Sequence, residues 1–357
     1  MHPLLLAVDW AMIAEKLILI AIVISSSLLI AMYETYGERK IAAVIQDRRG
    51  PNRAGPFGIL QPMADGVKLF MKEEIIPGLS NRFLFVAGPG LAMFTAMMTS
   101  AVVPWSSHLD IFGRRVELQI ANINIGILYV FGVVSMGVYG VMIGGWASNN
   151  KFSLMAAIRG ASQIISYELA MGLSLAALLM LSGSLSLKTI VENQQDGVYY
   201  FFYQPLGFLI FLVCAFAECN RTPFDLSEAE SELNFGYHQE YSSMKLGFYL
   251  FAEYVNMFIS SAVMATLFFG GYDIPFVNDS ALGNHIGQNW LALLQGLSLF
   301  LKVALFVFVF IWVRWTLPRF RYDQLMRLGW KVLIPLALVN MVLTGFFILI
   351  KQYGWPF

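Results

Sequence analysis

Apolar stretches long enough to cross a lipid bilayer recur along the whole chain. A hydrocarbon core about 30 Å thick asks for about 20 apolar residues per helix. Eight such windows are visible, at approximately 13–35, 83–105, 124–146, 161–182, 205–219, 246–270, 290–314 and 331–351. Backbone amides in lipid must be satisfied internally. The expected fold class is therefore an all-α polytopic membrane protein with about eight transmembrane helices, joined by cytoplasmic loops and amphipathic helices. Composition agrees: 58% of the 357 residues are hydrophobic and 13% charged, too few polar side chains to coat a water-soluble enzyme of this length. The fifth window is short. The first is preceded by Glu15 and has neither a basic leader nor a small-residue cleavage site, so it reads as a retained helix rather than a signal peptide. No repeat or separate soluble segment is evident, and residues 1–357 read as a single membrane domain.

Loop charge sets the expected orientation. The stretches 35–82, 147–160, 220–245 and 315–330 carry fifteen Lys and Arg, against only Arg114, Arg115 and Lys188 on the opposite side. The positive-inside rule then puts the basic loops in the cytoplasm and both termini outside it. Trp10, Trp105, Trp290 and Trp355 fall near span ends, where an aromatic belt would place them. With 23 basic and 23 acidic residues, the chain has no general cationic surface for nucleic acid. Cys214 and Cys219 are the only cysteines, too few for an iron–sulfur cluster or a structural zinc, so no metal or cofactor site is expected in this chain.

Three stretches hold the chemistry. The basic loop 35–82 runs through Glu38-Arg39-Lys40 and a Gly- and Pro-rich turn containing Arg48, Arg49 and Arg53. Pro62 can then start an amphipathic helix with Asp65, Lys68 and Lys72 on one face and Met63, Val67 and Phe70 on another. Such a segment can lie on lipid headgroups as an anchor or form the floor of a binding chamber. The acidic loop 218–245, with its borders, holds Glu218, Asp225, Glu228, Glu230, Glu232, Glu240 and Glu253 against Arg221 and Lys245. Ser227 with Glu230 three residues on predicts a capping box, and Glu228 and Glu232 would share one face of the helix it starts. Helix-dipole complementarity accounts for two or three of these acids, not seven. The basic loop 315–330 follows Arg314 and carries Arg319 and Arg321, a topology signal that also suits a polar headgroup or the preceding acids.

Glu168, Glu253 and Lys302 lie inside spans, where an isolated charge costs several kcal/mol, so they should face one another, water or a partner. Glu168 and Glu253 stand some seven residues deep and Glu218 near the surface, roughly 10 Å apart in depth. The pattern is a file of carboxylates leading inward from the cytoplasm.

The runs ERKIAAVIQDRRGPNRAGPFGILQPMADGVKLFMKE, GWASNNKFSLMAAIRGASQIISYE, AECNRTPFDLSEAESEL, EYSSMKLGFYLFAEY and FIWVRWTLPRFRYDQLMRLGWK closely resemble the H subunit of respiratory complex I, the proton-pumping NADH:quinone oxidoreductase, and its mitochondrial counterpart, NADH dehydrogenase subunit 1. The resemblance covers nearly the whole chain. It implies a non-redox-centre subunit, inactive alone, in a bacterial cytoplasmic (inner) membrane. The partners it implies are the peripheral quinone-site subunits, the antiporter-like membrane subunits and quinone, with FMN and iron–sulfur clusters held by partner chains. It places Arg39, Arg48, Asp65, Lys68, Arg221, Asp225, Arg314 and Arg319 around a quinone access tunnel. It likewise places Glu38, Glu168, Glu218, Glu228, Glu230 and Glu253 in an acidic path that couples quinone reduction to proton translocation, and the buried Lys302 is read with them. Glu34 falls outside the pattern. The third span offers only hydroxyls, Ser135, Tyr129 and Tyr139, and the outer loops 183–204 and 271–289 carry no readable motif. Two other readings fit the same residues: the related anchor subunit of a membrane-bound hydrogenase or formate hydrogenlyase, and an independent ion-coupled transporter. The first-loop and arginine motifs favour complex I, and no paired broken helices of an inverted repeat support a transporter.

Overall fold

The computed structural model describes residues 10–353 apart from 112, 196, 278, 280–282 and 284–285. Trp355 and Asn284 lie outside the described residues. Among those described, seven helices are long and apolar enough to cross a membrane, and the shorter Pro205–Glu218 makes the eighth expected span. In chain order the helices are α1 (Trp10–Ile45), α2 (Gln61–Met71), α3 (Arg82–Thr99), α4 (Gly126–Ala147), α5 (Lys151–Ser182), α6 (Leu187–Gln195), α7 (Tyr200–Tyr203), α8 (Pro205–Glu218), α9 (Glu230–Leu233), α10 (Ser243–Phe268), α11 (Gln288–Thr316), α12 (Tyr322–Arg327) and α13 (Ile334–Tyr353).

Two long helices overrun, by ten residues at one end, the windows that hydropathy alone marks. At 1.5 Å per residue α1 is about 54 Å long, well beyond a hydrocarbon core. Residues 35–45, expected as the start of a loop, instead continue the helix past the apolar stretch and carry Glu38 and Arg39 with it. The reason is local: TYGERKIAAVI has no proline and one glycine, and Ala42 and Ala43 bury against neighbours. In the same way α5 begins at Lys151 rather than near 161, because the Asn150 side chain accepts a hydrogen bond from the Phe152 amide and caps the helix.

The bundle closes where side chains are small. A Cβ on Gly144 would stand 1.9 Å from the Tyr249 hydroxyl, so α4 admits this α10 ring only at glycine. The Tyr249 hydroxyl donates to the Gly140 carbonyl at 3.1 Å, and the Tyr241 hydroxyl to the Gly144 carbonyl at 3.2 Å. In lipid the hydrophobic effect does not drive helices together, and close approach with such hydrogen bonds takes its place. The last span contains a π stretch, Leu328–Leu333, just before Pro335. Proline lacks an amide for the preceding turn and its ring crowds that turn's carbonyl, and the wider winding relieves both. The Tyr167 hydroxyl and the Trp330 indole then tie the segment to α5, through the Leu325 carbonyl at 2.9 Å and the Ser166 hydroxyl at 3.2 Å.

The two ends differ in chemistry. One carries the loops 46–60, 72–81, 219–242 and 317–321 and nearly all the arginines. The other carries a small antiparallel hairpin, β1 (His108–Ile111) with β2 (Arg114–Glu117), an addition to the all-α expectation, together with α6 and α7. Lys16, near the start of α1, donates to the Gln119 carbonyl, which fixes that helix start at the hairpin end. Lys302 also belongs there: its ammonium donates to the carbonyls of Phe269, Gly271 and Asp273 at 2.8, 2.9 and 2.6 Å, tying down the chain that leaves α10. The structure does not bring it to the acidic residues with which the sequence pattern groups it.

The short α8 is the key to the basic end. Fourteen residues span about 21 Å, less than a bilayer core, and the chain from Cys219 to Ala229 follows as irregular backbone folded into the bundle. Phe224, Leu226 and Ser227 are buried in it. Buried non-helical backbone is tolerated only when protein groups satisfy it. Gln163 of α5, fully buried, does so by donating to the carbonyls of Ala217 and Phe224 at 2.8 and 2.6 Å. The acidic loop is thus packed inside the fold rather than spread over its surface.

Candidate functional site

The site grows from Glu38, which the overrun of α1 carries to the inner surface of the basic end. It is 6% exposed, accepts hydrogen bonds from two side chains and pairs with a third. The Arg314 guanidinium of α11 lies at 2.7 Å, that of Arg221 at 3.4 Å, and the Tyr254 hydroxyl of α10 at 2.8 Å. Arg221 also lies over the Tyr254 ring at 4.2 Å. Burial works against the Arg221 charge, but Tyr254, Glu38, Glu253 and Glu228 around it more than offset that and hold its pKa above the ordinary value.

Outward from this hub lies a cationic bowl. Arg39, adjacent to Glu38, pairs with Asp65 of α2 at 2.5 Å, and Lys68 approaches the same carboxylate at 3.4 Å. Burial would raise the Asp65 pKa, but the Arg39 and Lys68 charges outweigh it and keep the carboxyl below its usual value. Arg39, Arg48, Arg49, Asn52, Arg53 and Gln61 line an open concavity of ≈ 740 Å³. Arg48 is exposed there and donates to the Gln46 side chain at 2.6 Å. On α2 the Asp65 and Lys68 face looks toward α1, while Met63, Val67 and Phe70 are exposed. Lys72, expected on the polar face, follows the last helical turn in extended backbone.

Inward from the hub the groups are acidic. Asp225, 3% exposed, pairs with Arg319 at 2.5 Å. Burial first, and then the Glu228 charge, push its pKa up to about 7 against the opposing pull of Arg319. The Tyr237 hydroxyl donates to Glu253 at 3.4 Å. Glu253 and Glu218 line one cavity of ≈ 50 Å³ with Asn220, Tyr237, Tyr249 and Asn256. Such space suffices for water, which needs roughly 10–15 Å³ and at least two polar partners. A second cavity, of ≈ 40 Å³ and mainly apolar, also adjoins Glu218, with Asn256 and Ser260 in its lining. Glu168 lies within electrostatic range of Glu218 and receives a short hydrogen bond from Ser135 of α4. The hydroxyl of the carboxylate-free third span therefore meets the acidic file directly.

Some expectations fail in detail. The capping box does not form: Ala229 precedes α9, and the Ser227 hydroxyl is buried without a hydrogen-bond partner among the described residues. Glu228 precedes the helix, near His238 and Glu253, while Glu232 pairs with Arg159 at 2.8 Å, so the two acids do not share a face. Glu240 is engaged by the Asn150 side chain at 2.7 Å. The Glu230 side chain lies outside the described residues. Tyr254 and Asn256 of α10 escaped sequence reasoning because an uncharged polar residue inside an apolar helix leaves no signature in hydropathy, and Tyr237, in a short turn at 236–238, because its contact with Glu253 depends on how the loop folds. Cys214 and Cys219 are free and buried.

The family model described as NADH dehydrogenase matches residues 17–345. The chain is 63% identical over 336 residues to an NADH-quinone oxidoreductase H subunit of Cytophaga hutchinsonii, covering 94% of this chain and 97% of that one. The H subunit from Flavobacterium johnsoniae is 59% identical over 339 residues, 95% of this chain and 96% of the relative. The chain belongs to the H-subunit family of NADH-quinone oxidoreductase. NADH-quinone oxidoreductase subunit 8 of Rhodothermus marinus, 48% identical over 342 residues, covers 94% of this chain and 96% of its own length. The relatives bear the name of a subunit of an oxidoreductase complex, and this chain is a polytopic membrane member of their family.

Proposed function

We propose that the chain serves a proton-translocating NADH:quinone oxidoreductase as the membrane subunit that walls the quinone access tunnel and carries part of the acidic path coupling quinone reduction to proton movement. Arg39, Arg48, Asp65, Lys68, Arg221, Asp225, Arg314 and Arg319 line the tunnel in this reading, and Glu38, Glu168, Glu218, Glu228, Glu230 and Glu253 form the path. Lys302 is left out of it. The chain itself holds no redox centre; FMN and iron–sulfur clusters belong to partner chains, and quinone is the substrate. The basic end faces the cytoplasm of a bacterial inner membrane, toward the peripheral quinone-site subunits, and the antiporter-like subunits adjoin within the bilayer.

The observation that carries this reading is the shared Glu38 carboxylate. Arg314 reaches it from the tunnel side, and Arg221, surrounded by Glu253 and Glu228, reaches it from the acidic side. A change of charge where quinone is reduced alters the pull on Arg314 and Arg39. That shifts the balance at Glu38 and Arg221 and, through them, the proton occupancy of the deeper carboxylates. The small cavity that Glu218 shares with Asn220, Tyr237, Glu253 and Asn256 is polar enough for water and suits water-assisted transfer between Glu253 and Glu218, and Glu168 with Ser135 lies within electrostatic range of Glu218.

Replacing Arg39 or Arg314 with alanine in the intact assembly tests the tunnel assignment. Quinone reduction should fall by about tenfold or more, as expected for loss of a charge-assisted contact. NADH oxidation by an artificial acceptor that draws electrons upstream should stay near normal. Equal loss in both assays, in fully assembled enzyme, would defeat the assignment.

A further inference from the structure

We propose that Glu34 is an additional proton-holding member of the acidic path, exchanging a proton with Glu38 one helical turn away. The inference rests on the proton-coupling reading above and adds a residue to it.

The buried side of α1 includes a stripe of Ser27, Ala31, Glu34, Glu38 and Ala42 on the helix that packs on α10 and α11. Four of these five have an evident packing or bonding role: three are small, and Glu38 is held by two arginines and a tyrosine. Glu34 differs. It is 7% exposed, and neither of its carboxylate oxygens has a hydrogen-bond partner among the described residues. Arg221 and Glu38 are the charges that act on it, and the Arg221 Nε and Nη2 atoms are likewise buried without a hydrogen-bond partner there. A carboxylate retained for structure alone is expected to be fixed by donors, because burying it unpaired is among the costliest arrangements in a protein. An acid that alternates between charge states must instead tolerate both, and a site next to an under-coordinated guanidinium allows this.

Side chains at i and i+4 have Cβ atoms about 5–6 Å apart, so the two carboxyl groups can meet directly in an O–H···O hydrogen bond. In the transfer the O–H bond of Glu34 breaks, an O–H bond forms on Glu38, and the negative charge passes from Glu38 to Glu34. Nothing else is consumed. The charge moves about 6 Å along α1, and Arg221 remains beside the new anion to balance it. Neutral Glu38 no longer holds Arg314 and Arg221 together, which links proton position on α1 to the freedom of a tunnel arginine.

The test uses Glu34→Gln and Glu34→Leu in the intact complex in native membranes, with Glu218→Gln beside them as the control for the wider reading. Both Glu34 variants are expected to assemble to normal levels and to oxidise NADH normally with the upstream acceptor. Their quinone reductase activity and proton pumping should fall together by at least about tenfold. The redox-induced infrared difference spectrum should lose one protonated-carboxyl C=O band that shifts on H/D exchange. Leucine leaves no polar atom to satisfy, so it carries the test even where glutamine disturbs assembly. Normal turnover and pumping in assembled Glu34→Leu overturns the inference. If Glu218→Gln is impaired while the Glu34 variants work normally, this inference fails and the acidic path stands; if Glu218→Gln is also normal, the path fails and Glu34 with it.

Discussion

Glu38→Gln keeps the side chain's size and one acceptor oxygen while removing the charge on which two arginines converge. At an effective dielectric of about 20, the 3.4 Å contact with Arg221 and the 2.7 Å contact with Arg314 correspond to gross attractions of about 5 and about 6 kcal/mol. These are upper bounds, since both charges are delocalised and the amide retains part of the hydrogen bonding. Arg314, 28% exposed, recovers much of its loss in water. Arg221, 3% exposed, cannot, and removing one member of a buried pair typically costs about 3–5 kcal/mol. Glu253 and Glu228 still act on Arg221, which places the expected cost near the lower figure, about 3 kcal/mol. A titration of the purified assembly with a graded denaturing detergent, read as retention of this chain, gives the apparent difference. The decisive comparison is the double variant with Arg221→Met, which removes the stranded cation. Its loss should be smaller than the sum of the single losses by at least about 2 kcal/mol. Additivity within about 0.5 kcal/mol would refute the view that Glu38 and Arg221 form the hub.

Two further outcomes follow from the same geometry. Asp225 is an acid whose folded pKa, about 7, lies above its unfolded value, so its contribution to stability is full below about pH 4 and is lost as pH rises through about 7. The thermal resistance of the assembly should decline between about pH 5 and pH 8 by a step that is missing in Asp225→Asn, and superimposable profiles would count against it. For orientation, a cysteine at Arg53 in the basic end should react with an impermeant reagent only from the cytoplasmic face, and one at Asn193 in α6 only from the opposite face; reaction of the latter from the cytoplasmic side alone would reverse the topology.

The eight spans were legible because apolar length is a strong, local signal. Their ends were not. Hydropathy stops α1 near 35 where charge begins, yet the helix runs on to Ile45, and that overrun positions Glu38 and Arg39. The unusual richness in acid of residues 217–254 singled out a segment that the structure buries, but the capping-box pattern at Ser227 did not fix its local structure. Tertiary packing against Gln163 draws that backbone inward, and no sequence spacing encodes such a contact. Lys302 illustrates the opposite failure. A lysine inside an apolar span reads as part of a relay, yet here its three hydrogen bonds go to backbone carbonyls at the hairpin end. Depth along a helix separates those roles, and composition does not record it. The meeting of Ser135 with Glu168 was only half visible: the hydroxyl stood out as the one polar option of a carboxylate-free span, while its partner emerged from the packing of α4 on α5.

The central claim is that a connected set of carboxylates in this chain couples quinone chemistry to proton movement, and Glu218 tests it most directly. It lies where the α8 helix ends, lines both small cavities and is within range of Glu168. The measurement is Glu218→Gln, with assembled complex, quinone reductase turnover and acidification quantified in the same membranes. Assembly should be retained while turnover and pumping fall together, by about tenfold or more. Normal turnover accompanied by normal pumping would contradict the claim.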